Sequence, residues 1–145
     1  MEFGILSTAK IGREDVIPAI QASEHTVGAI ASRDETRARS VADDLGIERA
    51  YGSYEALLAD DGIDAVYNPL PNGLHAEWTR AAADHGLHVL CEKPLTADAD
   101  EARALFDYCE QQGVTVMEAF MYHFHPRTER AREIASDVLG EVRHV

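Results

Sequence analysis

Short apolar runs alternate with helical patterns along most of the chain, and this alternation constrains the fold more than any other feature. Predicted strands cover residues 2–6, 26–31, 50–51, 63–68, 88–91 and 114–117, and the segments between them have helical periodicity. Strands separated by helices in this way form βαβ units, whose strands are parallel. The sequence therefore predicts an α/β fold with a doubly wound parallel sheet, in which a ligand lies across the carboxyl ends of the strands.

Residues that favour helix ends support these boundaries. Ser32 and Glu35 have the spacing of a capping box, and Ser53 and Asp98 are predicted N-caps of later helices. Pro18 is predicted to kink the first helix or to lie near its true start. Three helices have predicted apolar faces, formed by Ala38, Val41, Ala42 and Leu45, by Trp78, Ala81, Ala82 and His85, and by Ala102, Leu105, Phe106 and Cys109.

The alternation ends near residue 120. Residues 120–126 are rich in aromatic and histidine side chains, 127–139 have the pattern of a charged helix, and 140–145 are predicted to begin a strand without a visible partner. We therefore expect one domain over 1–119, followed over 120–145 by a connecting segment, a helix and the first strand of a second domain that is otherwise absent. The alternative is a stand-alone module that is complete at 145 residues.

The composition is strongly acidic, with 26 Asp and Glu against 13 Lys and Arg and a formal net charge of −13. This charge excludes nucleic acid and anionic membrane surfaces as general partners, because both would be repelled. No apolar run approaches the roughly 20 residues of a membrane helix, and the N-terminus lacks signal-peptide features, so we expect a cytoplasmic protein. The acidic excess also suggests adaptation to concentrated salt, which screens repulsion between carboxylates.

Cysteine and histidine usage predicts neither a disulfide nor a metal site. Cys91 and Cys109 are not in a CxxC pair, and we expect two reduced, buried thiols. His123 and His125 have the spacing of metal ligands, but no third ligand set accompanies them, so no metal is predicted.

The turn after the first strand has the position of a phosphate-binding loop. It consists of Ser7, Thr8, Ala9, Lys10, Ile11 and Gly12, and it matches the GxGxxG pattern only at its last glycine. Small residues at the first two glycine positions let a pyrophosphate approach the backbone N–H groups and the following helix N-terminus. This turn favours a Rossmann-type dinucleotide site, although an ordinary strand–turn–helix connection has the same pattern.

The end of the second strand favours NADP over NAD. NAD sites commonly have an acidic residue there to accept the ribose hydroxyls, whereas this chain has Ser32 and Arg33, with Arg37 one turn later. Arginine can bind a 2′-phosphate through two hydrogen bonds, while a carboxylate would repel it. The alternative is that both arginines are solvated helix charges.

Lys93 follows the fifth predicted strand and is one of only two lysines in the chain, the other being Lys10. A partly desolvated lysine beside an oxidised nicotinamide can exchange a proton with a hydroxyl or carbonyl group. The sequence therefore identifies Lys93 as a candidate catalytic group. The alternative is a surface residue paired with Glu92.

Several of these segments together resemble one protein family. Residues 4–12, 31–33, 69–78 and 91–95 are similar to the corresponding motifs of the Gfo/Idh/MocA oxidoreductases. Residues 118–122 resemble the branch that contains D-xylose dehydrogenases and dihydrodiol dehydrogenases. The similarity covers essentially the whole chain, and several motifs in the same order are more specific than any one of them.

The resemblance implies an NADP-dependent enzyme that transfers hydride between the nicotinamide and a sugar, polyol or diol. It also implies a C-terminal α+β domain that covers the nicotinamide and commonly forms homo-oligomers, so this chain alone is expected to be inactive. By resemblance, Lys93 is catalytic and Ser32 and Arg33 bind the 2′-phosphate. The cofactor is further lined by Leu70, Pro71, Asn72, His75 and Glu92, and the substrate-side candidates are Tyr122, His123 and His125.

Two residues depart from the branch pattern, namely His123 and Arg127. The substrate side of the site is therefore less defined than the cofactor side. A non-catalytic NAD(P)-binding sensor or regulatory module of the same fold is the alternative function.

Overall fold

A computed structural model of the chain describes residues 1–137 and contains one six-stranded parallel sheet. The strands are β1 (Glu2–Leu6), β2 (Thr26–Ala31), β3 (Arg49–Tyr51), β4 (Ala65–Asn68), β5 (His88–Cys91) and β6 (Val116–Glu118). They lie in the order β3-β2-β1-β4-β5-β6, and every neighbouring pair is parallel. The predicted doubly wound sheet is confirmed, and its strand order reverses between β1 and β4.

Over residues 1–137, five helices connect the strands and cover the sheet, and a sixth follows β6. They are α1 (Ile17–Gln21), α2 (Glu35–Leu45), α3 (Tyr54–Leu58), α4 (His75–Asp84), α5 (Ala99–Gln111) and α6 (Pro126–Asp137). Short 3₁₀ turns cover Asn72–Leu74 and Met121–Phe124. No helix of the described chain is both long and apolar enough to cross a membrane.

The two faces of the sheet have separate cores. One core joins α1 and α2 to the sheet through residues such as Ile17, Ala38 and Val41, and the other joins α3, α4 and α5 through residues such as Leu57, Ala82 and Leu105. The connections from β1 to β3 run toward one end of the sheet, and those from β3 to β6 run toward the other. Because each crossover is right-handed, the helices of these two sets lie on opposite faces. The carboxyl ends of β1 and β4, where the strand order reverses (the switch point), are therefore left open between the two sets of helices.

The first helical segment begins at Lys10, passes through a π-turn over Gly12–Val16 and continues as α1. Pro18 lies in the first turn of α1, directly after the π-turn, so the irregular backbone hydrogen bonding coincides with the residue that lacks an N–H group. Pro18 therefore lies near the start of α1, whereas the helical segment as a whole begins earlier, at Lys10.

Two of the three predicted caps are confirmed. The hydroxyl of Ser53 accepts a hydrogen bond from the third residue of its helix, and the Asp98 carboxylate accepts bonds from two N–H groups at the start of α5. The predicted cap at Ser32 is wrong, because Asp34 caps α2 by accepting a bond from the Arg37 N–H group at 3.2 Å. Ser32 instead accepts a bond from the Asp34 N–H group.

Two predicted apolar faces are partly wrong. Helix α4 buries His75, Thr79 and Ala82, whereas His85 is exposed. Helix α5 buries Leu105 and Cys109, which are one helical turn apart, whereas Phe106 lies beside that line and is 45% exposed. Helix α5 packs beside α4, and its buried line is narrower than the predicted one. Both cysteines are free and buried, as predicted.

An ion-pair cluster stabilises the amino-terminal edge of the sheet. Arg49 of β3 bonds to Glu2 of β1 at 2.5 Å and to Asp60 at 2.6 Å. Asp60 also accepts bonds from the Tyr51 hydroxyl and the Gly62 N–H group. Three donors therefore converge on one carboxylate, at the edge opposite the candidate site.

The predicted charged helix after residue 126 is present as α6, which begins at Pro126 and is described to Asp137. The strand predicted over 140–145 lies outside the described residues.

Candidate functional site

Three loops meet at the carboxyl edge of the sheet. They follow β1, β4 and β5, which are neighbours in the sheet, and the cross-strand pairs Ile5–Tyr67 and Asn68–Cys91 fix their relative positions. Because the strands are parallel, the turn 7–12, the loop 69–74 and the loop 92–95 all leave the same edge. The structure therefore brings the predicted phosphate turn and the predicted catalytic lysine to one side of the domain.

The turn after β1 has an unusual backbone at its first residue. Ser7 has a φ of 135°, in the region that favours glycine, although it carries a side chain. Its hydroxyl accepts a hydrogen bond from the Ala9 N–H group at 3.2 Å. Ser7 therefore has the backbone conformation that the first glycine of GxGxxG has in other turns of this kind.

The rest of the turn presents backbone rather than side chains. Thr8 is buried, and the Lys10 side chain is 78% exposed and pairs with Glu14 at 3.5 Å. Ile11 lines an apolar cavity of about 640 Å³ on the α1 side of the sheet. A Cβ atom on Gly12 would lie 3.4 Å from the Tyr67 ring, so the helix start packs closely on β4. The Lys10 ammonium thus lies on the surface. What this residue offers a ligand in the turn is its backbone N–H group.

The predicted 2′-phosphate residues lie at the end of β2. Ser32 is buried, and its N–H group bonds to the Tyr51 carbonyl of β3. Arg33 and Arg37 are exposed, and within residues 1–137 neither forms an ion pair. Two guanidinium groups without carboxylate partners are therefore available at this end of the edge.

The loop after β4 is held from beneath by Asn68. Its side-chain oxygen accepts a bond from the Leu70 N–H group at 3.3 Å, and its amide nitrogen donates to the His75 carbonyl at 3.2 Å. Leu70 is buried, whereas Pro71 and Asn72 are exposed at the rim. Of these loop residues, Pro71 and Asn72 are the ones that a ligand on the edge could touch.

His75 joins two of the loops. Its ring is 1% exposed, with Nε2 2.7 Å from the Leu70 carbonyl and Nδ1 2.7 Å from the Pro94 carbonyl. Both ring nitrogens are therefore occupied by backbone groups, one in the loop after β4 and the other in the loop after β5. The side chain connects the loops instead of facing the open edge.

Glu92 and Lys93 lie directly after β5. Glu92 is 7% exposed, and its Oε2 accepts bonds from Lys93 Nζ at 3.1 Å and from the Lys93 N–H group at 3.3 Å. The Lys93 side chain is 45% exposed. The two interpretations of Lys93 are therefore compatible, because it is paired with Glu92 and also stands at the open edge of the sheet.

Two further residues support this loop and were not identified from the sequence. The Tyr67 hydroxyl donates to Glu92 Oε1 at 3.0 Å, and Glu118 at the end of β6 accepts a bond from the Leu95 N–H group at 2.8 Å. Burial, together with the nearby Glu92 carboxylate, raises the pKa of Tyr67 well above its usual range, so the hydroxyl remains a donor. The available signal for both was a side chain with a polar group at or next to the carboxyl end of a strand.

The substrate-side candidates lie on and just after the 3₁₀ turn that follows β6. Tyr122 is exposed and stacks on the His123 ring with a centroid distance of 4.3 Å. His123 also contacts Arg132 of α6, and His125 Nδ1 accepts a bond from the Arg127 N–H group. Tyr122 and His125 are exposed and His123 is half-buried, and none of the three has a described contact to Lys93.

A parallel sheet of this strand order, with a small-residue turn after β1 and two exposed arginines after β2, defines a dinucleotide-binding domain of the Rossmann type. A family model, described as an oxidoreductase family with an NAD-binding Rossmann fold, matches residues 1–120. The chain therefore belongs to the Gfo/Idh/MocA oxidoreductase family, and the resemblance noted from its motifs is confirmed.

Individual relatives agree with this assignment. The chain is 73% identical over 142 residues to a D-xylose 1-dehydrogenase (NADP(+)) from Haloferax volcanii, a match covering 98% of this chain and 44% of that enzyme. It is 34% identical over 147 residues to a trans-1,2-dihydrobenzene-1,2-diol dehydrogenase from Xenopus tropicalis, covering 99% of this chain and 44% of that enzyme.

A solved structure has the same architecture. The 3-ketoreductase KijD10 from Actinomadura kijaniata, in complex with NADP, superimposes with a TM-score of 0.89 at 41% identity. The match covers 99% of this chain and 46% of that one. The chain thus spans less than half the length of the relatives that it matches.

Proposed function

We propose that this chain is the NADP-binding part of an oxidoreductase that transfers hydride between the nicotinamide and a sugar, polyol or diol. The observation that carries the proposal is an exposed lysine held by a buried glutamate, on the same open edge as the phosphate turn. The named activities of the relatives from Haloferax volcanii and Xenopus tropicalis support the substrate class.

The residues present fit a dinucleotide phosphate. The turn 7–12 offers N–H groups and small side chains to the pyrophosphate, and the free guanidinium groups of Arg33 and Arg37 fit a 2′-phosphate beside Ser32. The rim residues Pro71 and Asn72, with Leu70 and Glu92 behind them, fit the nicotinamide half. Bound NADP supplies the hydride acceptor or donor, which no side chain can provide.

Lys93 is proposed to exchange the proton that accompanies hydride transfer. Its Nζ stands at the carboxyl end of β5, where a substrate oxygen bound over the edge can hydrogen-bond to it. Glu92 fixes the direction of the lysine side chain, and His75 ties the loop that carries Lys93 to the loop after β4. The protein therefore orients one proton donor and acceptor against the reacting carbon.

Cofactor choice is tested by titrating the chain with NADPH and NADH and following the fluorescence of each. We expect tighter binding of NADPH, and Arg33→Ala should weaken NADPH binding by at least about tenfold while leaving NADH binding nearly unchanged. Arg39→Ala on the exposed side of α2 is the charge-matched control and should change neither. Equal affinities for the two cofactors in the unsubstituted chain would refute NADP preference.

We also propose that a second, α+β domain begins near residue 120 and completes the active site. On the α1 side of the sheet, Tyr67 is fully buried, its neighbour Leu90 is partly exposed and the next residue, Met117, is 37% exposed. Met121 and Phe124, just beyond, are 62% and 65% exposed. This apolar surface supports a further packed layer after β6, and homo-oligomers are proposed to form through that domain.

Turnover tests this arrangement. The 145-residue chain should bind NADPH and reduce no substrate, whereas a polypeptide continuing through the second domain should oxidise a sugar or diol. In that longer polypeptide, Lys93→Ala should lower kcat by about 10²- to 10⁴-fold with NADPH binding retained. Near-normal turnover of the variant would contradict the role of Lys93.

Finally, we propose a cytoplasmic protein adapted to concentrated salt. The net charge of −13 and the similarity to a Haloferax volcanii enzyme support this. Screening of carboxylate repulsion should raise the melting midpoint in molar KCl above that in dilute buffer. An unchanged midpoint would refute salt adaptation.

A further inference from the structure

The loop that carries Lys93 is connected to the buried core through Tyr67. This side chain is fully buried on β4, between Ile5 of β1 and Leu90 of β5, and the start of the first helical segment packs against its ring at Gly12. The ring therefore has neighbours on several sides and little freedom to move. Its hydroxyl is the part that reaches the functional edge.

The Glu92 carboxylate has its two oxygens committed to different partners. Oε1 accepts the Tyr67 hydroxyl, and Oε2 accepts the ammonium and the N–H group of Lys93. Because the Tyr67 hydroxyl holds Oε1 in place, the direction in which Oε2 points toward Lys93 is also fixed. Lysine has a long flexible stem and depends on such a partner to hold its ammonium in one position.

We propose that Tyr67 is a positioning residue for Lys93, acting through Glu92. The proposal rests on the role of Lys93 proposed above, and it adds a residue that touches neither substrate nor cofactor. Because burial raises the pKa of Tyr67, its hydroxyl keeps its proton and donates it in the hydrogen bond to Glu92.

Amine acylation provides a direct test, because the chain contains only two lysines. A limiting amount of an N-hydroxysuccinimide acetate modifies free amines, and mass spectrometry of the peptides gives the extent at Lys93 relative to Lys10. Lys10 is the internal reference, since its side chain is 78% exposed and lies on the first helical segment. The reaction needs neither cofactor nor turnover, so its outcome is independent of the NADPH titration.

Single and double variants test the Tyr67–Glu92 contact and the Glu92–Lys93 contact separately. Glu92→Gln should raise the Lys93/Lys10 ratio by about two- to fivefold, the range expected when a partly exposed ion pair is lost. Tyr67→Phe should raise it by a similar factor and should have no further effect in the Glu92→Gln background. Tyr51→Phe is the matched control, because it removes a hydroxyl–carboxylate bond to Asp60 at the opposite edge, and it should leave the ratio unchanged.

Three results would overturn the proposal. They are an unchanged ratio in Tyr67→Phe, an unchanged ratio in Glu92→Gln, and additive effects in the double variant, which would mean that Tyr67 acts independently of Glu92. The unsubstituted chain gives a test that does not depend on the folding of variants. Its Lys93/Lys10 ratio should be lower in the native protein than in urea, and equal ratios would refute the restraint on Lys93.

Discussion

The backbone of Ser7 makes an unusual prediction about glycine. At φ 135° a residue with a Cβ atom is strained by about 1–3 kcal/mol, whereas glycine adopts this conformation without that cost. At an ordinary position the order is reversed, because glycine has more conformational freedom in the unfolded chain and is less stable than alanine by about 0.4–1 kcal/mol. Position 7 should therefore prefer glycine to alanine.

The magnitudes can be worked through for two substitutions. Relief of about 2 kcal/mol of strain, less about 0.7 kcal/mol of unfolded-state entropy, leaves Ser7→Gly more stable than Ser7→Ala by about 1 kcal/mol. Both variants lose the hydrogen bond from the Ala9 N–H group to the Ser7 hydroxyl, so that loss of about 1 kcal/mol cancels in the comparison. Relative to serine, glycine should be nearly neutral and alanine destabilising.

Urea unfolding measures this difference. With a slope of about 2 kcal/mol/M, the midpoint of Ser7→Gly should exceed that of Ser7→Ala by about 0.5 M. Ser40 on the exposed side of α2 is the control, where glycine should be less stable than alanine by about 1 kcal/mol. If alanine is as stable as glycine at position 7, the strained turn is refuted.

Other predictions concern caps, thiols and pH. Asp98→Ala removes the cap of α5 and should lower stability by about 1 kcal/mol in urea unfolding, whereas Asp107→Ala in the exposed middle of α5 should not lower it. Burial raises the pKa of Cys91 to about 12, so a thiol reagent near neutral pH should modify it only on unfolding, and rapid labelling of the native protein would contradict its burial. Burial opposes the shift, but the three donors to Asp60 lower the pKa of its carboxyl below the usual value of 3.8. Their contribution to the free energy of unfolding is therefore present above pH 3.8 and lost as the pH falls. The variant Asp60→Asn should flatten this acid dependence. An acid limb unchanged by Asp60→Asn would show that Asp60 contributes nothing to it.

The sequence predicts strands and local caps well because both depend on neighbouring residues. Ser53 and Asp98 are correctly identified as caps, and the alternation of strands and helices is enough to define the doubly wound sheet. Ser32 and Asp34 are both good capping residues two positions apart, and the choice between them depends on where β2 ends. His85 and Phe106 were assigned to buried faces because periodicity gives the direction of an apolar stripe without the width of the surface it contacts.

The candidate site was predictable where a side chain follows a strand directly. Lys93 and Glu92 are adjacent in sequence, and so their pairing could be anticipated. The bond between Tyr67 and Glu92 spans two strands and depends on their register, which the pattern of apolar residues does not specify. His75 was assigned to the cofactor surface because its position in the motif says nothing about which way the ring turns within α4.

The strand order also determines how the domain meets other molecules. Within residues 1–137, the two edge strands are β3 and β6, and each is only three residues long. Each includes one charged residue, Arg49 in β3 and Glu118 in β6, whereas β2 and β4 inside the sheet have none. Short, charged edges offer few free backbone groups to a strand of another molecule and therefore oppose edge-to-edge aggregation. The longer apolar strands, which are the most prone to aggregate, are enclosed between these edges.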